Sequence, residues 1–155
     1  MIVSIDAKVK YELDSSDIDD VEVNFESAIE EINNALDATL NDTDYINDIK
    51  ADLQQDNIVL NDIIELSVDF DYLYCKLDIQ TELTDEEIIK EFKPIIEDII
   101  SNSDTSAFVE CSGEITRDSW NYYRDEYTEE TDYETWDDTL SLDYHISDCK
   151  VKREE

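Results

Sequence analysis

Positive charge is what this chain lacks most. It has 11 Lys and Arg against 44 Asp and Glu, a formal net charge of −33 at pH 7. That balance excludes a direct nucleic-acid ligand and an acidic membrane surface. Glycine, proline and histidine each occur once. A single glycine excludes the Gly-rich loops that cradle phosphate, and no G-x-S-x-G, H-E-x-x-H or P-loop is present. No stretch approaches the roughly 18 apolar residues that span a membrane. The opening MIVSIDAKVKYEL has no basic region followed by an apolar run, so it does not read as a signal peptide. The three cysteines (Cys75, Cys111 and Cys149) are odd in number, far apart and free of any C-x-x-C, which suits a reducing, cytoplasmic setting.

Catalysis has little to work with. The only histidine, His145, is out of phase with the apolar positions around it and reads as a surface residue. Carboxylate pairs are so numerous that none singles itself out as an acid–base couple. For calcium, Asp42-x-Asp44 and the cluster Asp14–Asp20 offer oxygens, but neither has EF-hand spacing or the glycine its turn needs. The reading is of a non-enzyme with no cofactor and no specific metal site.

What is present is a core. The chain is 155 residues long, 41% apolar and carries 19 Ile, enough for one folded domain over 1–155. Solubility of a small domain asks for a net charge of only about 2–8, and the excess opposes compaction. Thirty-three charges equal those on about 56 Å of duplex DNA, while a compact chain of this length is roughly 40 Å across. Solubility therefore does not account for the charge.

Along the chain, residues 2–13 alternate as one half-buried strand, with Ile5, Ala7, Val9, Tyr11 and Leu13 on one side. Helical spacing of Phe25, Ala28, Ile29, Ile32, Leu36 and Leu40 predicts a helix over about 20–40, with Glu22, Glu26 and Glu30 outside. A second helix, about 44–56, sets Ile46, Ile49 and Leu53 against Asp44, Asp48, Asp52 and Asp56. These faces hold five like-charged i,i+4 pairs, a sacrifice of roughly 1–2.5 kcal/mol. Residues 62–83 predict a hairpin with Ile64, Leu66, Val68 and Phe70 in one phase and a connection near Asp71–Tyr72. Thr84 and Glu87 make a capping box for a helix of about 85–100, with Pro94 expected to kink or break it. Ser112–Gly113 reads as a hairpin turn, and Leu140, Leu142, Tyr144 and Ile146 as a final strand. The order predicts an α+β fold: one antiparallel sheet with about three helices on one face.

The densest stretch is Asp118–Asp138. It carries nine carboxylates (Asp118, Asp125, Glu126, Glu129, Glu130, Asp132, Glu134, Asp137 and Asp138) against Arg124. Six rings are interleaved: Trp120, Tyr122, Tyr123, Tyr127, Tyr133 and Trp136. Disordered acidic tails are poor in aromatics, so the segment belongs to the folded body, as helix, strand or irregular hairpin. Tyr122, Tyr123 and Tyr127 either anchor the last sheet or stay exposed, where Tyr serves as a contact hot spot and its face attracts Arg.

One-signed rows recur about every 6 Å on a helix and about every 6.7 Å on a strand. In composition, size and these rows, the whole chain resembles acidic DNA-mimic inhibitors. Many of these come from phages and mobile elements, and they block restriction enzymes, CRISPR–Cas effectors, uracil-DNA glycosylases or other DNA-binding proteins. That class shares surface character rather than a motif or a fold. The resemblance implies a basic nucleic-acid-binding partner in a host cytoplasm, met by the carboxylates of 118–138, by Tyr122, Tyr123 and Tyr127, and by the rows Asp44–Asp48–Asp52–Asp56 and Glu22–Glu26–Glu30. The alternative is an acidic chaperone for basic proteins such as histones.

Overall fold

In the computed structural model, which describes residues 1–154 apart from Asp19 and the side chains of Ser119 and Asn121, the first alternating run crosses between two sheets. Strand β1 (Ile2–Lys8) lies in one sheet and β2 (Tyr11–Leu13) in the other. Val3, Ile5, Ala7, Val9 and Tyr11 stay buried throughout, because both sheets face one hydrophobic core. The predicted alternation holds, but not the single strand.

After a short β3 (Glu22–Val23), two helices follow, α1 (Glu26–Leu40) and α2 (Thr43–Gln55). Helix α1 starts later than its spacing predicts. Glu22 belongs to β3, paired with Ser112, and Phe25 takes the N-cap position without a side-chain cap. Asp42 caps α2 by accepting from the Tyr45 N–H at 3.3 Å, and Asp56 is its C-cap residue. A hairpin of β4 (Leu60–Asp69) and β5 (Tyr72–Ile79) turns through Phe70–Asp71, with Phe70 at φ 50°. Register shifts between Leu60 and Asp62 and between Ile63 and Glu65 move Ile63 inward and leave Ile64 exposed, against the predicted phase.

Helix α3 (Asp85–Ser101) carries the capping box, with the Glu87 N–H donating to Thr84 Oγ1 and the Thr84 N–H to Glu87 Oε1. It runs through Pro94 without a break. Its buried Ile88, Phe92, Ile96, Ile99 and Ile100 are each worth about 1.5–3 kcal/mol. That far exceeds the few tenths lost per like-charge pair, so the core decides the fold.

Two long strands, β6 (Ser106–Asn121) and β7 (Glu126–Leu142), and then β8 (Ser147–Arg153) complete the chain. The final strand is therefore not the run Leu140–Ile146. Leu140 and Leu142 end β7, and Tyr144 and His145 sit exposed in the connection to β8. Nor does Ser112–Gly113 turn, since β6 passes straight through it. The architecture is α+β, with, among the described residues, three helices and two four-stranded antiparallel sheets in place of the one predicted, ordered β4-β5-β1-β8 and β2-β7-β6-β3.

Candidate functional site

The acidic–aromatic stretch forms one arm of a long hairpin together with its turn. β6 and β7 pair from Ser106–Ser141 out to Asn121–Glu126, and residues 122–125 make the turn, where Asp125 adopts φ 53°. Near the base other strands support this ribbon: β2 pairs with Leu140–Leu142 and β3 with Cys111–Ser112. Beyond Ser112 it is a two-stranded ribbon that runs nine more residues to Asn121, roughly 30 Å at strand rise.

Its two faces follow from the pleat. One continues the core-facing side: Ala107, Val109 and Cys111 are buried at the base, and Ile115 and Arg117 follow toward the tip. The other is open along its length and carries Phe108, Glu110, Glu114 and Asp118 on β6, with Asp137, Tyr133, Glu129 and Tyr127 opposite on β7. Asp118 lies directly across from Glu129, a like-charge pairing that costs stability in a ladder. On the core-continuing face, Arg117 donates to both oxygens of Glu134 at 2.5 and 3.0 Å, which raises the guanidinium pKa further.

At the tip, Trp120 stands edge-on to Tyr127 across the ladder, with centroids 4.8 Å apart, and to Tyr122 at 6.3 Å. Tyr122, Tyr123 and Tyr127 are 85%, 102% and 72% exposed. Of the two readings open for these rings, anchoring in the sheet is the one the structure overturns. Tyr133 is partly occupied: its hydroxyl donates to Glu22 Oε2 at 3.1 Å and lies 3.0 Å from Ser112 Oγ, from which it can accept. Trp136 is half-buried against the core.

Eight of the nine carboxylates of 118–138 reach solvent, Glu134 only in part. Asp138 does not belong with them. It is 6% exposed and accepts from Ser15 Oγ (2.8 Å), Thr139 N–H (2.8 Å) and Ser15 N–H (3.3 Å). Burial raises its pKa, but those hydrogen bonds outweigh burial and hold the carboxyl below its ordinary range. It is a structural anchor, placed inward by the same alternation that turns Asp137 outward.

The remaining predicted rows are dispersed. Asp44, Asp48 and Asp52 are exposed on α2, with Asp56 at its end, and Glu26 and Glu30 are exposed on α1. Glu22 is exposed on β3, off the helix row to which it was assigned. No described helix has a basic residue in its last turn, although the helix dipole favours one there. The Asp14–Asp20 cluster includes Asp19, which lies outside the described residues. Among the described residues, no group of three or more His, Cys, Asp or Glu is placed to hold a metal ion. No described helix is long and apolar enough to cross a membrane.

Residue-level reading of the sequence missed Glu110, Glu114 and Trp120, which share the open face with Asp118. Glu110, Glu114, Asp118 and Trp120 are four, four and two residues apart, and their shared parity was the available signal. Compared with family models, curated proteins and solved structures, the chain matches none.

Proposed function

We propose that the protein is a DNA-mimic inhibitor, which occupies the cationic nucleic-acid channel of a host defence nuclease and blocks it without chemistry. A CRISPR–Cas effector or a restriction–modification enzyme is the class of target. The observation that supports this reading is the free ribbon. Between Gly113 and Glu134 it holds Glu114, Asp118, Asp125, Glu126, Glu129, Glu130, Asp132 and Glu134 against Arg117 and Arg124. One nucleic-acid strand places a phosphate about every 3.4 Å, hence about nine along the ribbon's roughly 30 Å. Eight carboxylates, three on the open face, one in the turn and four on the opposite face, come close to that density. The exposed rings at the end offer flat apolar surface of the kind that nucleic-acid channels meet with aromatic or Arg side chains. Rows on α1 and α2 extend the field and steer encounter, while the ribbon supplies the desolvated contacts.

The test is competition for a nuclease target between this protein and labelled DNA, read at graded salt. Reversing Asp125, Glu126, Glu129 and Glu130 to Lys is expected to weaken displacement more than reversing Asp44, Asp48, Asp52 and Asp56. If both reversed proteins displaced DNA at wild-type concentrations, mimicry by these surfaces would be refuted. Equal binding to histones and to unrelated basic proteins would identify an acidic chaperone instead.

A further inference from the structure

The lysines are not scattered. Of the eight in the chain, Lys8, Lys76, Lys150 and Lys152 lie on one surface, the face of the β4-β5-β1-β8 sheet turned away from the core. This face also exposes Tyr72 and Tyr74, and its middle forms an open groove of about 760 Å³ between those rings and Lys8, Lys150 and Lys152. Among its carboxylates Asp6, Glu65 and Asp69 this face sets four lysines, so a second copy approaching it meets charges of both signs.

The cross-strand register also orders these charges. One row runs Glu65–Lys76–Ser4–Lys152 from β4 to β8, the next Ser67–Tyr74–Asp6–Lys150, and a third Asp69–Tyr72–Lys8; the row beyond Glu65, Asp62–Asp78–Ile2, carries no lysine and lies outside the patch. Acidic residues thus sit on the β4 edge, and lysines on the β8 edge. A two-fold axis parallel to the strands, between β5 and β1, brings the β8 edge of one copy over the β4 edge of the other. Each row then meets itself reversed: Lys152 faces Glu65, Lys150 faces Ser67 between Glu65 and Asp69, and Tyr74 faces Asp6. This is the self-complementarity that an isologous interface requires. The present partners of these lysines do not forbid it. Lys152–Asp6 (3.2 Å) and Lys8–Asp148 (3.5 Å) are exposed pairs of little worth, and Lys76, paired with Glu154 at 2.9 Å, faces only Ser4 across the axis and keeps that partner.

We propose that the protein self-associates as a two-fold dimer through this face, whatever its target. Four strands about 4.8 Å apart and three rows about 6.7 Å apart give a patch of roughly 20 by 20 Å, about 800 Å² over both copies, which is the size of a weak, transient contact rather than a stable interface. The dimer is therefore weak, and the net charge makes it salt-dependent in an unusual sense. At low ionic strength the two bodies repel over a Debye length of about 30 Å, whereas at 1 M salt that reach falls to about 3 Å. Salt strengthens this dimer even though its contacts are ionic, because the repulsion it screens is larger.

Sedimentation velocity of the full chain, from micromolar to millimolar concentration and from low to high NaCl, tests this. The expected result is monomer at low salt and a rising dimer fraction at high salt. Lys152→Glu and Glu65→Lys, each folded by circular dichroism, are expected to weaken association at least tenfold. The double variant E65K/K152E, which exchanges the signs, is expected to restore it. A chain that stays monomeric throughout overturns the proposal. So does a dimer indifferent to both single variants, or a double variant no better than either.

Discussion

Asp137 and Asp138 are adjacent carboxylates on β7, and replacing each with Ala separates burial from charge. Both substitutions remove one negative charge from nearly the same place, so the relief of long-range repulsion is common to both. What differs is the local bonding. Asp138 accepts from Ser15 N–H, Ser15 Oγ and Thr139 N–H, tying the segment after β2 to the ribbon's base. Hydrogen bonds to a charged group are worth about 1.5–3 kcal/mol each, but removing a buried carboxylate also removes its desolvation cost. A net loss of about 2–3 kcal/mol follows for Asp138→Ala, or about 4–12 °C in Tm for a chain of this size. Asp137→Ala is exposed and should stay within about 0.5 kcal/mol of wild type. The pH dependence carries a second signature. Because the folded pKa of Asp138 is depressed, its contribution is fully present above the unfolded carboxylate pKa of about 3.9 and is lost as pH falls through the lower folded value. The difference between wild type and Asp138→Ala should therefore be flat from pH 7 to about 5 and shrink below about 4. Thermal melts followed by circular dichroism measure both. Equal Tm losses for the two variants, or a gap that survives unchanged at the acid end, would refute the reasoning.

Two further outcomes follow from the charge and from the site. Because self-repulsion opposes folding, Tm at low protein concentration is expected to rise with moderate NaCl and further with Mg²⁺; a flat or falling trend in a melting series would show that the charges do not repel as described. His145→Ala and Cys149→Ser are expected to leave inhibition of a nuclease intact, since His145 is an exposed loop residue bonded to Asp143 and Cys149 is a free, half-buried thiol. Loss of inhibition by a folded His145→Ala protein, measured in the same DNA-displacement assay, would overturn the non-enzymatic reading.

What was legible in the sequence was whatever had one wet and one dry face. Helix α3 announces itself through the Thr84–Glu87 box and its isoleucines, and α2 through Ile46, Ile49 and Leu53. The start of α1 was misplaced because Glu22, four residues before Glu26, continues a helical charge rhythm although it sits on a strand. The free ribbon was hidden for a different reason. Past Gly113 both of its faces reach solvent, so no apolar alternation marks it, and Gly113 suggested a turn. In the structure Gly113 has no positive φ; it serves a close approach instead. A Cβ there would come 3.3 Å from Val21 Cγ1 and 3.5 Å from Trp136. The β4 register shifts, which reverse Ile63 and Ile64, leave no trace in hydrophobic periodicity either.

The placing of β1 between β5 and β8 has a consequence for how the protein is made. Strand β1 leaves the ribosome before either neighbour: β5 follows after about 65 further residues, some 3–13 s at ordinary rates of synthesis, and β8 after about 140, some 7–30 s. Until then Val3, Ile5 and Ala7 have nowhere to bury, and their strand edges stand open to any other chain with an unpaired edge. Most elements emerging in the interval are strongly acidic. Nascent copies on neighbouring ribosomes therefore repel one another during the very period when β1 is unpartnered. Charge that costs stability in the finished fold guards the unfinished one against edge-to-edge aggregation.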